Sequence, residues 1–150
     1  MKQYDCYMTC PRGLEQTLSN EITEIINKEN SPAKGGVKFF ATKHDIYKLN
    51  YHSRVGMNLL IKLFKDKASN VDQLYKVIFK YEWDKLIEPN KTFSIRTKIN
   101  SKSIPNQNFT TLKIKDAIVD KIQKKLGSRP SVDKKNPDFY ITIYIKDNRI

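Results

Sequence analysis

The side chains with the most to offer chemically are cations. Between Lys91 and Lys135 stand twelve Lys and Arg residues against three acids, so this segment holds +9 of the chain's net +12. The first 90 residues contribute +3, and the last 15 are neutral. A cationic excess concentrated in under a third of a chain is suited to electrostatic capture of an anion, and a nucleic acid is the first partner to consider. The segment reads as a long amphipathic helix, a stop at Gly127, a basic loop and the entry to a strand. Thr110 or Thr111 can serve as N-cap, which would put Lys113 and Lys115 in the first turn or two. Lysines there oppose the helix dipole unless an anion docks, so either a bound phosphate or a solvated basic face accounts for them. Arg129, Lys134 and Lys135 add charge beyond the helix. Arg96 and Lys98 share the polar side of the preceding strand.

Catalytic groupings are sparse. His44 and His52 are the only histidines, and Cys6, Cys10 and the two histidines lack zinc-site spacing. Asp116 and Asp120 share a helical face, but lysines surround them. The five glycines form neither GxGxxG nor a P-loop. Asn136-Pro137-Asp138-Phe139 resembles the Asn-Pro-Pro-Tyr element of many methyltransferases, but Asp138 replaces a proline and no cofactor loop precedes it, so it reads as a turn. Cys6 and Cys10 on one strand stand roughly 13 Å apart, beyond the roughly 7 Å reach of a disulfide. No catalytic residue, metal site or cofactor is expected within the segment.

With 39% hydrophobic and 11% aromatic residues, the 150-residue chain can build a packed core. Residues 1–10 do not read as a signal peptide and no apolar run is long enough to cross a bilayer, so a cytoplasmic location is expected. Alternation predicts a strand over 3–9. A helix follows over 13–28, with Leu14, Leu18, Ile22, Ile25 and Ile26 as its stripe. Asn30-Ser31-Pro32 reads as a loop and Val37–Ala41 as a strand. Thr42 caps a helix over 43–51, and a strand is expected over 53–65. That β-α-β-α-β order suits a split βαβ lobe. A helix over 71–81, a strand over 92–99, the basic helix and a strand over 139–146 make the second half. The expected fold is α+β, with lobes at 1–66 and 67–150. Asp147-Asn148 reads as a hairpin turn, so Arg149-Ile150 would open a final strand that is cut short and the chain would be the front of a longer protein.

Lys113 to Asp120 (KIKDAIVD), Arg129 to Asp133 (RPSVD) and Asn136 to Asp138 (NPD) closely resemble the THUMP domain of bacterial 23S rRNA guanine-N2 methyltransferases. Cys10 to Glu15, Gly35 to Val37, Ser53-Arg54 and Tyr81 to Asp84 agree in the same order along nearly the whole chain. The resemblance implies an N-terminal ferredoxin-like lobe and a THUMP lobe that bind structured RNA, most simply 23S rRNA. It implies S-adenosylmethionine only for a downstream catalytic domain. Two departures stand out. Pro105 precedes Asn106 where relatives often carry Arg, which removes one RNA contact, and Tyr51 lies where relatives tend to have Trp. The implied RNA contacts are Lys113, Lys115, Arg129, Arg96 and Lys98, extended by Arg12 and Arg54. The alternative is a stand-alone adaptor presenting RNA to a separate enzyme.

Overall fold

The computed structural model describes residues 2–104 and 106–150; Pro105, and with it the departure noted there, lies outside them. The chain divides into two compact units between Phe64 and Lys65.

The first unit runs β1 (Gln3–Thr9), α1 (Glu15–Ile26), β2 (Asn30–Ala33), β3 (Gly36–Thr42), α2 (Lys43–His52) and β4 (Asn58–Ile61). Its sheet has the order β2-β3-β1-β4 with every pair antiparallel. Cys6 and Met8 of β1, Val37 and Phe39 of β3, Leu18 and Ile22 of α1 and Leu49 of α2 share one core. Thr42 caps α2 as expected, and Asp45 completes the box: each side chain accepts the other's backbone N–H. Leu14, by contrast, lies outside α1 and is exposed.

Two expectations fail here. Asn30–Ala33 is a strand, not a loop, because it lies at the sheet edge, where Pro32 forfeits no ladder bond the fold requires. The order is therefore β-α-β-β-α-β. The strand expected over 53–65 shrinks to four residues. Glu21 of α1 is the reason: its carboxylate accepts the Ser53 hydroxyl and the N–H groups of Arg54 and Val55, drawing 53–55 into a turn.

Asp45 also meets Lys28 at 2.8 Å. Burial alone would raise its carboxyl, but hydrogen bonds from Lys28 and Thr42 outweigh this and hold it at about 2, below the ordinary 3.8. A depressed carboxylate stabilises the fold above its unfolded pKa, and that contribution is lost as pH falls through the folded value. Asp45→Asn is expected to cost about 1 kcal/mol at neutral pH. It should also flatten the acid limb between the ordinary carboxylate range and about 2, read by urea unfolding across pH.

The second unit runs α3 (Val71–Lys80), a single 3-10 turn (Trp83–Lys85), β5 (Thr92–Asn100), α4 (Gln107–Leu126), β6 (Ser131–Val132) and β7 (Phe139–Lys146). Its sheet has the order β6-β5-β7 with both pairs parallel. Parallel neighbours need a crossover, and α4 supplies it between β5 and β7. Phe93, Ile141, Ile143 and Ile145 lie buried on one side of the sheet. Ile114, Ala117, Ile118 and Ile122 form the buried stripe of α4, which packs on β5, α3 and the 3-10 turn.

The helix begins a turn earlier than expected. Asn106 is the N-cap and accepts the Phe109 N–H at 3.0 Å. Thr111 instead bonds the Gln107 carbonyl at 2.7 Å and the Thr97 hydroxyl at 2.7 Å, while Thr110 is buried. Gly127 closes the helix at φ 71° as expected. The Asp147-Asn148 turn also forms: Lys146 and Arg149 exchange backbone bonds, and Ile150 exchanges two with Asp66.

Candidate nucleic-acid interface

Arg96 and Lys98 lie at even positions of β5, while Thr97 between them bonds Thr111 of α4. Neighbouring strand residues point to opposite faces, so both cations project away from the helix layer. Both are exposed. In the parallel register they stand beside Thr142 and Tyr144. The Arg96 guanidinium sits 4.3 Å from the Tyr140 ring centroid, and the Lys98 ammonium 6.0 Å from that of Tyr144. Tyr140 is 52% exposed and Tyr144 47%. Lys146 shares this outward parity and is exposed. By residue type alone Tyr75, Tyr81, Phe109, Tyr140 and Tyr144 could each stack on a base, although such aromatics are more often core. The alternation that buries Ile141, Ile143 and Ile145 was the available signal that Tyr140 and Tyr144 face out.

Lys113 and Lys115 are not at the helix start. With Asn106 as cap they are the seventh and ninth helical residues, and the first turn carries no charged side chain. The dipole argument for a docked phosphate therefore lapses. They also diverge, since positions two apart differ by about 200° around a helix. Lys113 lies 5.7 Å over the Phe109 ring, whereas Lys115 pairs with Asp116 at 3.0 Å. The cations of α4 and those on the outer sheet face occupy opposite sides of β5–β7, so they do not make one patch.

Arg129 is exposed in the loop after Gly127, next to buried Pro130. Asp133 holds the following turn by accepting the N–H groups of Lys135 and Asn136. Asp138 ties the entries of β7 and β5 together: it accepts the Thr92 N–H at 2.8 Å and faces Lys91 at 3.6 Å. The Thr92 backbone bond, foremost, holds its carboxyl below the usual range. The Asn136-Pro137-Asp138 element is thus a structural clamp.

In the first unit, acids of α1 organise the two arginine loops, which sequence reasoning did not anticipate. Glu15 accepts the N–H groups of Gly13 and Gly35 at 2.8 and 2.9 Å, fixing the turn that presents Arg12. The Gly35 bond is the main reason its carboxyl lies low. Glu21 fixes Arg54 as described above. Burial works against its ionisation, yet the Ser53, Arg54 and Val55 bonds keep its pKa lowered. Arg12 and Arg54 are both exposed. Glu21→Gln is expected to raise amide exchange at Arg54 and Val55 by about tenfold, since a charge-assisted bond is about twice as strong as a neutral one. Hydrogen-exchange NMR reads this directly, and unchanged protection would show that the loop holds itself.

The candidates for acid–base chemistry have structural employment. Asp120 accepts the Tyr75 hydroxyl at 2.7 Å, pushing that phenol up to about 12, and Asp116 pairs with Lys115. His44 and His52 are exposed on α2. Cys6 and Cys10 are buried free thiols, and burial pushes Cys6 up to about 11. No metal-binding cluster exists among the described residues, and none of their helices is long and apolar enough to cross a membrane. The residues present do not fit S-adenosylmethionine: Gly13, Gly35 and Gly127 serve turns and a helix cap, Gly36 opens β3, and Gly56 follows the Glu21-held turn. None builds a glycine-rich strand-to-helix loop.

Comparison with known proteins identifies both parts of the chain. Residues 68–150 match the family model of the THUMP domain, and residues 5–57 match that of the RlmL ferredoxin-like domain. The ribosomal RNA large subunit methyltransferase K/L of Pseudomonas syringae pv. tomato is 34% identical over 139 residues, covering 93% of this chain and 18% of that protein. The chain thus spans less than a fifth of that relative's length. A predicted N6-adenine-specific DNA methylase from Listeria monocytogenes superposes with a TM-score of 0.84 at 19% identity, over 99% of this chain and 39% of that one. A 4-thiouridine synthetase crystallised with RNA and ATP superposes at 0.56 with 15% identity, over 98% and 42%.

Proposed function

Because this chain belongs to the THUMP-domain family, we propose that it is an RNA-binding module, the substrate-recruiting front of an S-adenosylmethionine-dependent 23S rRNA guanine-N2 methyltransferase working in the cytoplasm. In this reading residues 1–66 form the ferredoxin-like lobe and 67–150 the THUMP lobe. The observation that carries it is a coincidence of charge and family: the +9 segment between Lys91 and Lys135 falls wholly within the residues that match the THUMP model. The chemistry is left to other residues, since none of the described residues forms a cofactor loop. The K/L name of the relative supports ribosomal RNA as the partner, and the RNA in the 4-thiouridine synthetase crystal supports the fold as an RNA binder.

The contacts proposed are Arg96, Lys98, Lys113, Lys115 and Arg129, with Arg12 and Arg54 from the first unit. Such binding is led by phosphates and by RNA shape. If about five phosphates are neutralised, affinity should fall on the order of a hundredfold between 50 and 200 mM salt. The test is fluorescence anisotropy of the full chain with a folded 23S rRNA fragment across a KCl series. Each true phosphate contact changed to Gln should reduce the slope of log affinity against log salt by about 1. An affinity indifferent to salt would sink the proposal. An unchanged slope for any one residue removes that residue from the site.

A further inference from the structure

We propose that the outward face of β5–β7 is a stacking platform for unpaired nucleotides, with Tyr140 and Tyr144 taking bases and Arg96, Lys98 and Lys146 holding the connecting phosphates. It rests on the reading of the chain as an RNA-binding module and goes further by naming the surface and the state of the RNA it takes.

The first argument is topological. Parallel sheets are almost always covered on both faces. Here α4 covers one side, while the other leaves Tyr140 and Tyr144 about half exposed and Arg96, Lys98 and Lys146 in solvent. Among the described residues that face is open around Tyr140 and Tyr144.

The second argument is chemical. By parity the outward positions are Thr92, Ser94, Arg96, Lys98 and Asn100 on β5, and Tyr140, Thr142, Tyr144 and Lys146 on β7; Ser94 is buried, the open part runs from Arg96 and Tyr140 onward, and none of these residues is acidic. The nearest carboxylate at the strand entries, Asp138, is already engaged by Thr92 and Lys91. Three cations set among two aromatic rings match a ligand that is anionic along its backbone and flat and aromatic at its side groups. Rings and cations are already paired, with Arg96 4.3 Å from Tyr140 and Lys98 6.0 Å from Tyr144. An incoming base would extend an existing stack, and the planar guanidinium can itself stack.

The third argument selects unpaired over duplex RNA. In an A-form helix the base faces are occupied by their neighbours, and a ring can reach them only when a base is splayed out. Tyr140 and Tyr144 stand about 13 Å apart along the strand, so they take different bases. Stacking of this kind is tolerant of sequence, because every base has a π face.

The test uses the full chain, a labelled oligouridine and a blunt RNA duplex of equal length. Tyr140→Ala with Tyr144→Ala should weaken binding of the single strand by roughly a hundredfold, about tenfold for each ring, and leave the duplex within about twofold. The salt slope should stay the same, and Tyr140→Phe with Tyr144→Phe should restore affinity. Equal losses on both ligands, or none on the single strand, overturn the platform. If wild-type protein binds neither ligand nor the folded fragment, the RNA reading itself fails. Photo-cross-linking of wild-type protein to a thiouridine-bearing single strand adds a readout independent of variant folding. Adducts at Tyr140 or Tyr144 support the platform, and adducts confined to other peptides overturn it.

Discussion

Trp83→Ala is expected to destabilise the second unit by about 3–5 kcal/mol, the range for removing a fully buried large aromatic. Trp83 has no exposed surface, although it stands on a single 3-10 turn between α3 and β5. Its indole N–H donates to the Ile78 carbonyl at 2.6 Å, and its ring lies 4.7 Å from that of Tyr81. The turn bearing it packs on α4. Truncation removes both the apolar surface and the bond that closes the end of α3, in a segment whose six-residue path to β5 has little other regular structure. A domain's net stability is on the order of 5–15 kcal/mol, so such a loss consumes much of it. Trp83→Phe separates the contributions. It keeps most of the volume and forfeits the N–H, for about 1–2 kcal/mol. Urea unfolding of the two variants, read at a constant m-value, checks both figures. A loss for Trp83→Ala no greater than that for Trp83→Phe would mean the cavity collapses and the indole is not a keystone.

The same region shows what can be read from residues alone. The alternation at 92–99 and 139–146 specifies two strands and, through parity, which side chains look outward. Arg96 and Lys98 share a polar face by that parity, and the same parity turns Tyr140 and Tyr144, candidate stacking aromatics by residue type, outward. The apolar stripe of α4 was legible too. The helix start was not, because Asn106, Asn108, Thr110 and Thr111 can all cap and only the packed structure shows that Thr111 is spent on Thr97 and Gln107. β2 was hidden because a proline discounts a strand locally, while edge pairing to β3 tolerates it. The turn at 53–55 was hidden because its cause, Glu21, lies more than thirty residues away. Charge behaved similarly: +9 is a sum over a line, and the fold distributes that line over two sides of a sheet. The motifs from Lys113 to Asp138 identified the family without identifying the contacting face, since several of their residues turn out to hold loops and strand entries in place.

Gly36→Ala is the other substitution expected to have a large effect, about 3 kcal/mol or more, in the first unit. Gly36 opens β3, pairs with Thr9 of β1 and is buried. Its backbone needs no positive φ, so the requirement for glycine is one of space. A Cβ there would run into the Met8 carbonyl oxygen and come within 2.7 Å of the Tyr7 ring. The ring can swing aside, but the carbonyl belongs to the central strand β1, which pairs with both β3 and β4. Moving it disturbs two ladders at once, so the strain cannot be relieved locally. The displacement also reaches the Arg12 loop, because Gly35, the preceding residue, gives its N–H to Glu15 and its carbonyl to the Cys10 N–H. Gly35→Ala is the informative comparison. Gly35 sits at φ 83° with nothing near its missing Cβ, so alanine there is strained in backbone alone, for about 1 kcal/mol. Thermal or urea unfolding should therefore rank wild type above Gly35→Ala and Gly35→Ala well above Gly36→Ala. The reverse order would show that β1 and β3 can separate at this end without cost. In that case the Gly35-Gly36 pair would be retained for the shape of its turn and not for the close approach of two strands.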